Sequence, residues 1–136
     1  MRGRKPSTTA LAPTPVLDVP RPPAWLSKDA KAEWKRVAPI LIHERRTLDV
    51  GDMATLGAYC TAAGEVAEAS RVVATEGMIY VGASGPKRHP AVAIRSEAMK
   101  QVRQLAGELG LTPVSRSRAP MRAATAEDEE AEALGL

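Results

Sequence analysis

Residues able to do covalent or metal chemistry are few. The chain has one cysteine, Cys60, and two histidines, His43 and His89. A single Cys excludes an intrachain disulfide and a cysteine-based zinc site, and neither His has a Cys or a second His at ligand spacing. Cys60 falls on the apolar stripe of an expected helix, with no His or Asp beside it in a nucleophile motif. It reads as a buried structural thiol. His43 reads as a helix-surface residue, and His89, just before Pro90, as a turn residue. The segment Gly82-Ala83-Ser84-Gly85-Pro86-Lys87 lacks the Gly-xxxx-Gly-Lys-Ser/Thr spacing of a phosphate-cradling loop and does not open directly into a helix. It also matches Gly-x-x-Gly, which clamps RNA backbone where it joins two helices; here it is expected to join strands. No catalytic residue, metal site or cofactor is expected, and the chain reads as a non-enzyme.

The basic residues carry more information. Net charge is +3, but residues 123–136 hold five acids and no base, so the chain ahead of them is +8. A basic body with an acidic tail points to a polyanion partner, or to a tail that competes for one. Lys28, Lys31 and Lys35 recur at i, i+3, i+7 and share one helix face. Arg2, Arg4 and Lys5 lie on an expected extended arm that can reach phosphates. Lys87 and Arg88 project from an expected hairpin, and Arg116 and Arg118 follow the last long helix. Each cluster alone is compatible with an ordinary solvated face. Together they point to nucleic acid. No aromatic residue lies among them, which disfavours stacking on single strands and favours salt-dependent contact with duplex backbone. Ten candidate DNA-binding residues result.

Elements must position these groups. Residues 1–24 contain six prolines, too many for a helix or a central strand, and are expected to be a disordered, extended basic arm. Residues 25–111 are the expected helical domain for DNA binding and oligomerisation. Ser27 caps a first helix with Ala30, Trp34, Val37 and Leu41 on its inner stripe. Pro39 should kink or split it near Val37–Ala38. Asp49 or Asp52 caps a second helix, running to about Thr75, with Met53, Leu56, Cys60, Ala63 and Ala67 inward and Gly77 at its end. Met78–Val81 and Lys87–His89 form a small hairpin, marginal alone and expected to pack on the helices or on a neighbouring chain. Pro90 opens a third helix with Ile94, Ala98, Val102, Leu105 and Leu109 on one stripe, ended by Gly110. Residues 112–136 are an expected flexible tail, Arg-rich and then acidic, whose stretch from Thr125 to Leu134 is a marginal helix. The fold class is thus mainly α: about three helices, the first interrupted at a proline, with a small β-hairpin and two disordered arms. The 24 alanines and the absence of Phe favour helices packed closely over small side chains. No apolar run approaches the ~20 residues of a membrane span, and no signal-peptide stretch opens the chain; the reading is soluble and cytoplasmic.

One order of residues has a family resemblance. Gly3-Arg4-Lys5-Pro6 opens the chain; Pro22-Pro23-Ala24-Trp25-Leu26-Ser27 leads to Glu33-Trp34 and Val37-Ala38-Pro39-Ile40-Leu41. Leu48 and Asp52, Tyr59-Cys60, Gly77 and His89-Pro90 follow, and the series closes in Leu109-Gly110-Leu111-Thr112-Pro113 with Ser115-Arg116-Ser117-Arg118. Over residues 1–118 this resembles the phage terminase small subunit family. The resemblance implies an oligomeric ring that recognises double-stranded viral DNA in the host cytoplasm. Such a ring initiates genome packaging and passes DNA to the large terminase subunit, which holds the ATPase and the nuclease. It implies helical DNA-binding parts and a helical oligomerisation core. Pro39 departs from a clean helix-turn-helix, so no recognition helix is assigned. The alternatives are a small dimeric DNA-binding transcriptional regulator, which predicts about two subunits and a palindromic site, and a scaffold without a DNA role.

Overall fold

Ser27 starts the first helix because its hydroxyl accepts a hydrogen bond from the Ala30 N–H at 3.2 Å, filling one of the four donors a helix start leaves open. The computed structural model describes residues 14–118 and 126–135. Helix α1 covers Lys28–Pro39 and buries Ala30, Trp34, Val37 and Ala38. The expected break near Val37–Ala38 lies further on. The α-helix continues through Pro39 and then widens into a π-helical turn, Ile40–Glu44, closed by the Arg45 N–H on the Ile40 carbonyl at 2.8 Å. A proline costs the helix the bond its own N–H would make; here the chain changes its hydrogen-bond spacing beyond the ring. Leu41 and Ile42 of that turn remain buried. Arg46, at φ 53°, ends the run.

Asp49 and Asp52 share the start of the second helix. The Asp49 carboxylate accepts from the Gly51 N–H at 2.7 Å, and the Asp52 carboxylate accepts back from the Asp49 N–H at 3.0 Å. This reciprocal box sits on a 3-10 turn, Val50–Asp52, that runs into α2, Met53–Glu76. The described end of the leader, expected to belong to a disordered arm, is anchored to the body. Val16 N–H donates to the Leu48 carbonyl and Val50 N–H to the Thr14 carbonyl, both at 3.0 Å, while the Pro20 carbonyl accepts from the Trp34 indole at 2.9 Å.

At 24 residues, α2 is about 36 Å long and packs on both α1 and α3. That double role corrects the expected single stripe. Ala63 and Ala67 are only partly buried, whereas Gly57, Tyr59, Ala62, Gly64 and Ala69 are buried with Leu56, Cys60 and Val73. Gly64 is where α1 crosses: a Cβ there would stand 2.9 Å from Ser27 Oγ and 3.0 Å from the Ala30 nitrogen. Gly77 leaves α2 at φ 83°, ψ 171°, and leads straight into a strand.

Strands β1, Ile79–Gly82, and β2, Gly85–Arg88, pair antiparallel, with Ile79 opposite Arg88 and Gly82 opposite Gly85 across a two-residue turn. His89 lies outside the second strand and caps α3, Pro90–Glu108, its Nδ1 accepting from the Ala91 N–H at 3.0 Å. Helix α3 returns along α2: Ala91 packs with Ala69 and Val73 at the hairpin end, and Leu109 joins Leu56 and Cys60 at the other. Ala98 is buried, with Val102 and Leu105 partly so, but Ile94, expected on the same stripe, is 54% exposed. Two short helices follow, α4 at Pro113–Arg118 and α5 at Ala126–Ala133. The mainly helical class with one hairpin thus stands, and no helix among the described residues is long and apolar enough to cross a membrane.

Candidate nucleic-acid interface

On α1 the acids already have partners. Glu33 holds Arg36, with Nε at 3.0 Å from Oε2, and accepts the Tyr59 hydroxyl at 2.8 Å. Asp29 pairs with Arg71 of α2. The Arg36 guanidinium, with help from the Tyr59 hydroxyl, holds the Glu33 carboxyl below the usual glutamate value against the opposing effect of burial. Arg71 likewise lowers Asp29. Glu33 and Asp29 are therefore ionised and engaged. Lys28, Lys31 and Lys35 have no ion pair among the described residues; Lys28 and Lys35 are exposed and Lys31 is partly buried.

The other expected cations fall elsewhere. Lys87 and Arg88 are exposed on β2, opposite Tyr80 and Ile79. Arg116 and Arg118 are exposed on α4, beyond the far end of α3. The 19 residues of α3 separate these two groups by about 28 Å. Arg2, Arg4 and Lys5 lie outside the described residues. The seven described candidates therefore form three separate groups. Sequence reasoning passed over Arg95, Lys100 and Arg103, which α3 places between the hairpin and α4. The excess of bases over acids in residues 78–111 was the available signal.

Of the groups able to do other chemistry, Cys60 is buried and His89 is engaged. Cys60 is fully buried, and loss of water around the thiol pushes its pKa up to about 12, which keeps it neutral and unreactive. His89 is the cap of α3, its Nε2 2.6 Å from a Glu76 carboxylate oxygen. His43 is exposed on the π-helical turn. No group of three or more His, Cys, Asp or Glu side chains able to hold a metal occurs among the described residues.

The hairpin has a second character. Met78 is 59% exposed, Ile79 64% and Val81 82%, so of the two supports expected for it, packing on the helices of its own chain is not realised on these side chains. Tyr80, also exposed, meets the His89 ring edge-on with centroids 6.1 Å apart.

Comparison with known proteins gives one finding. No curated relative and no solved structure matches the chain. The family model for the small subunit of phage terminase matches residues 30–126, a span that runs from within α1 through α2, α3 and α4 and takes in Glu33 but not Asp29 or Lys28. The chain belongs to the phage terminase small subunit family.

Proposed function

We propose that this protein is the DNA-recognition subunit of a genome-packaging machine: an oligomeric ring that grips double-stranded viral DNA in the host cytoplasm. It initiates packaging by passing that DNA to the large terminase subunit, whose ATPase and nuclease it regulates. The observation that carries this reading, beyond family membership, is the set of cations without acid partners among the described residues on α1, on the hairpin and on α4, beside acids of α1 that are already spent on Arg36 and Arg71. Such cations release counterions when they meet phosphate, which makes binding steeply salt-dependent. One copy offers few contacts, and nonspecific affinities of this kind are about 10⁻⁴–10⁻⁶ M. Several copies on one duplex raise the overall affinity by about 10²–10⁴. The apolar side chains left uncovered on the hairpin supply a surface for contact between copies. Of the ten candidates, Arg2, Arg4 and Lys5 add a reach from the leader.

The test is a DNA-shift titration across salt with native mass measurement. Reversing Lys31 and Lys35 to Glu is expected to weaken duplex binding and to flatten the plot of log affinity against log salt by about 2, at about 0.9 per phosphate contact, with unchanged subunit number. An unchanged slope removes α1 from the interface. A wild-type mass of two subunits favours the dimeric regulator, and wild-type protein that ignores duplex DNA in dilute salt ends the reading.

A further inference from the structure

Helix α3 has a polar surface divided by charge. At about 100° per residue, Arg95, Arg103 and Lys100 fall within an arc of about 140°, with Lys100 at mid-face about 60° from Glu97, while Glu97 and Glu108 fall together on the other flank. Lys100 and Arg103 are exposed and Arg95 partly buried, and none of the three has an ion pair among the described residues. The cations extend about 12 Å along the axis from Arg95 to Arg103. At one end Arg88 stands two residues before the helix starts. At the other, Arg118 lines a groove with Gln104, Gly107 and the acid Glu108, which brings α4 alongside the last turn of α3. Gly107 lies on the cationic side, and a Cβ there would meet nothing within 4 Å; no side chain at that position stands in the way of a close approach.

We propose that this flank of α3, through Arg95, Lys100 and Arg103, is a phosphate-contact track for duplex DNA that joins the hairpin cations to those of α4. The inference rests on the DNA-binding reading above and adds to it a surface and three residues. The two outer groups, about 28 Å apart, do not form one patch by themselves. With the α3 cations between them, their spacing approaches one duplex turn of about 34 Å. A protein partner would look for an apolar centre ringed by polar groups. This flank offers one exposed apolar side chain, Met99, among cations, which is the chemistry of a backbone contact.

The experiment uses the full chain and a duplex of about 30 base pairs, with affinity measured between about 50 and 200 mM salt. Arg95→Gln, Lys100→Gln and Arg103→Gln together are expected to weaken binding about tenfold or more near 0.15 M salt and to flatten the salt slope by about 2–3, with unchanged subunit number and melting. Glu65→Gln with Glu68→Gln raises net charge by about two on α2, where both acids are exposed, and is expected to leave the slope as it was, which separates a track from a general effect of charge. Two results overturn the proposal: a triple variant that keeps the wild-type slope, or one that loses subunits in the absence of DNA, which would assign the flank to acidic residues of a neighbouring copy. Wild-type protein without salt-dependent binding would be a different failure, that of the DNA-binding reading itself.

Discussion

Glu33 shows how one side chain serves two partners. Its carboxylate holds Arg36 on its own helix and the Tyr59 hydroxyl from α2, so it ties α1 to α2 beside the buried Cys60. The Tyr59 phenol, pushed up to about 12 by burial and then by Glu33, remains a donor at every pH of interest. Because the Glu33 pKa is lowered on folding, its stabilisation is complete above the ordinary glutamate value of 4.5 and is lost as pH falls through the lowered one. Glu33→Gln is expected to cost about 1 kcal/mol at neutral pH, a modest figure because the Arg36 side chain is largely in water. The difference in melting temperature between wild type and variant should shrink as pH drops below about 4.5; a difference that stays constant down to about pH 3 would mean the carboxylate charge is not what stabilises. His89 is similarly fixed. With Nδ1 accepting from Ala91, the neutral ring carries its proton on Nε2, which donates to Glu76. The Glu76 contact was invisible without the fold, because it depends on the hairpin returning the chain to the end of α2.

Among the elements, α2 carries the architecture. Its glycines and alanines let two helices approach it on different sides, and the closest approach is at Gly64. Gly64→Ala would gain about 1 kcal/mol in helix propensity. It would also drive a methyl into Ser27 Oγ and the Ala30 backbone, displacing the cap of α1 as well as the helix. We expect a net destabilisation of about 1–3 kcal/mol, read as a lower melting temperature; a variant as stable as wild type would show that α1 shifts without penalty. The small-residue composition announced close packing, but not which small residues would be used. Ala63 and Ala67 satisfy the 3.6-residue period as well as Ala62 and Gly64 do, and only the presence of α1 on one side and α3 on the other selects between them. The inner stripe of α1, the Ser27 cap, Pro90 at the first turn of α3 and Gly110 at its end were legible, because each depends on neighbours within a few residues. The π-helical turn after Pro39 was not, since proline predicts a defect without specifying whether the chain bends, breaks or respaces its hydrogen bonds.

For the whole molecule, the unresolved tension is the hairpin. A two-stranded sheet is marginal in water, and this one leaves Met78, Ile79 and Val81 largely exposed. Pro86 has no N–H to offer on β2, whereas β1 carries the apolar run. If copies meet through this surface, as the proposed ring requires, Ile79→Lys with Val81→Lys should lower the subunit number measured by native mass while leaving the helical melt nearly unchanged. Intact assemblies in that variant would move the contact to another surface. The same variant separates assembly from grip: duplex affinity should fall with subunit number, toward the value of single copies.

Composition and local spacing by themselves determined that this chain is mainly helical, that it turns once through a short hairpin, that its lone thiol lies in the core and that its cations outnumber its acids ahead of the tail. Those properties follow from residue type and from neighbours one or two turns away. The tertiary structure decided which acids are spent, by bringing Arg71 to Asp29 and Tyr59 to Glu33 across long stretches of chain. It also decided that the described cations divide into one group on α1 and two at opposite ends of α3, that α3 itself supplies the cations between those two, and that Ile94 and the hairpin face outward. Charge pairing and exposure depend on distance in space, and a sequence orders residues only along the chain.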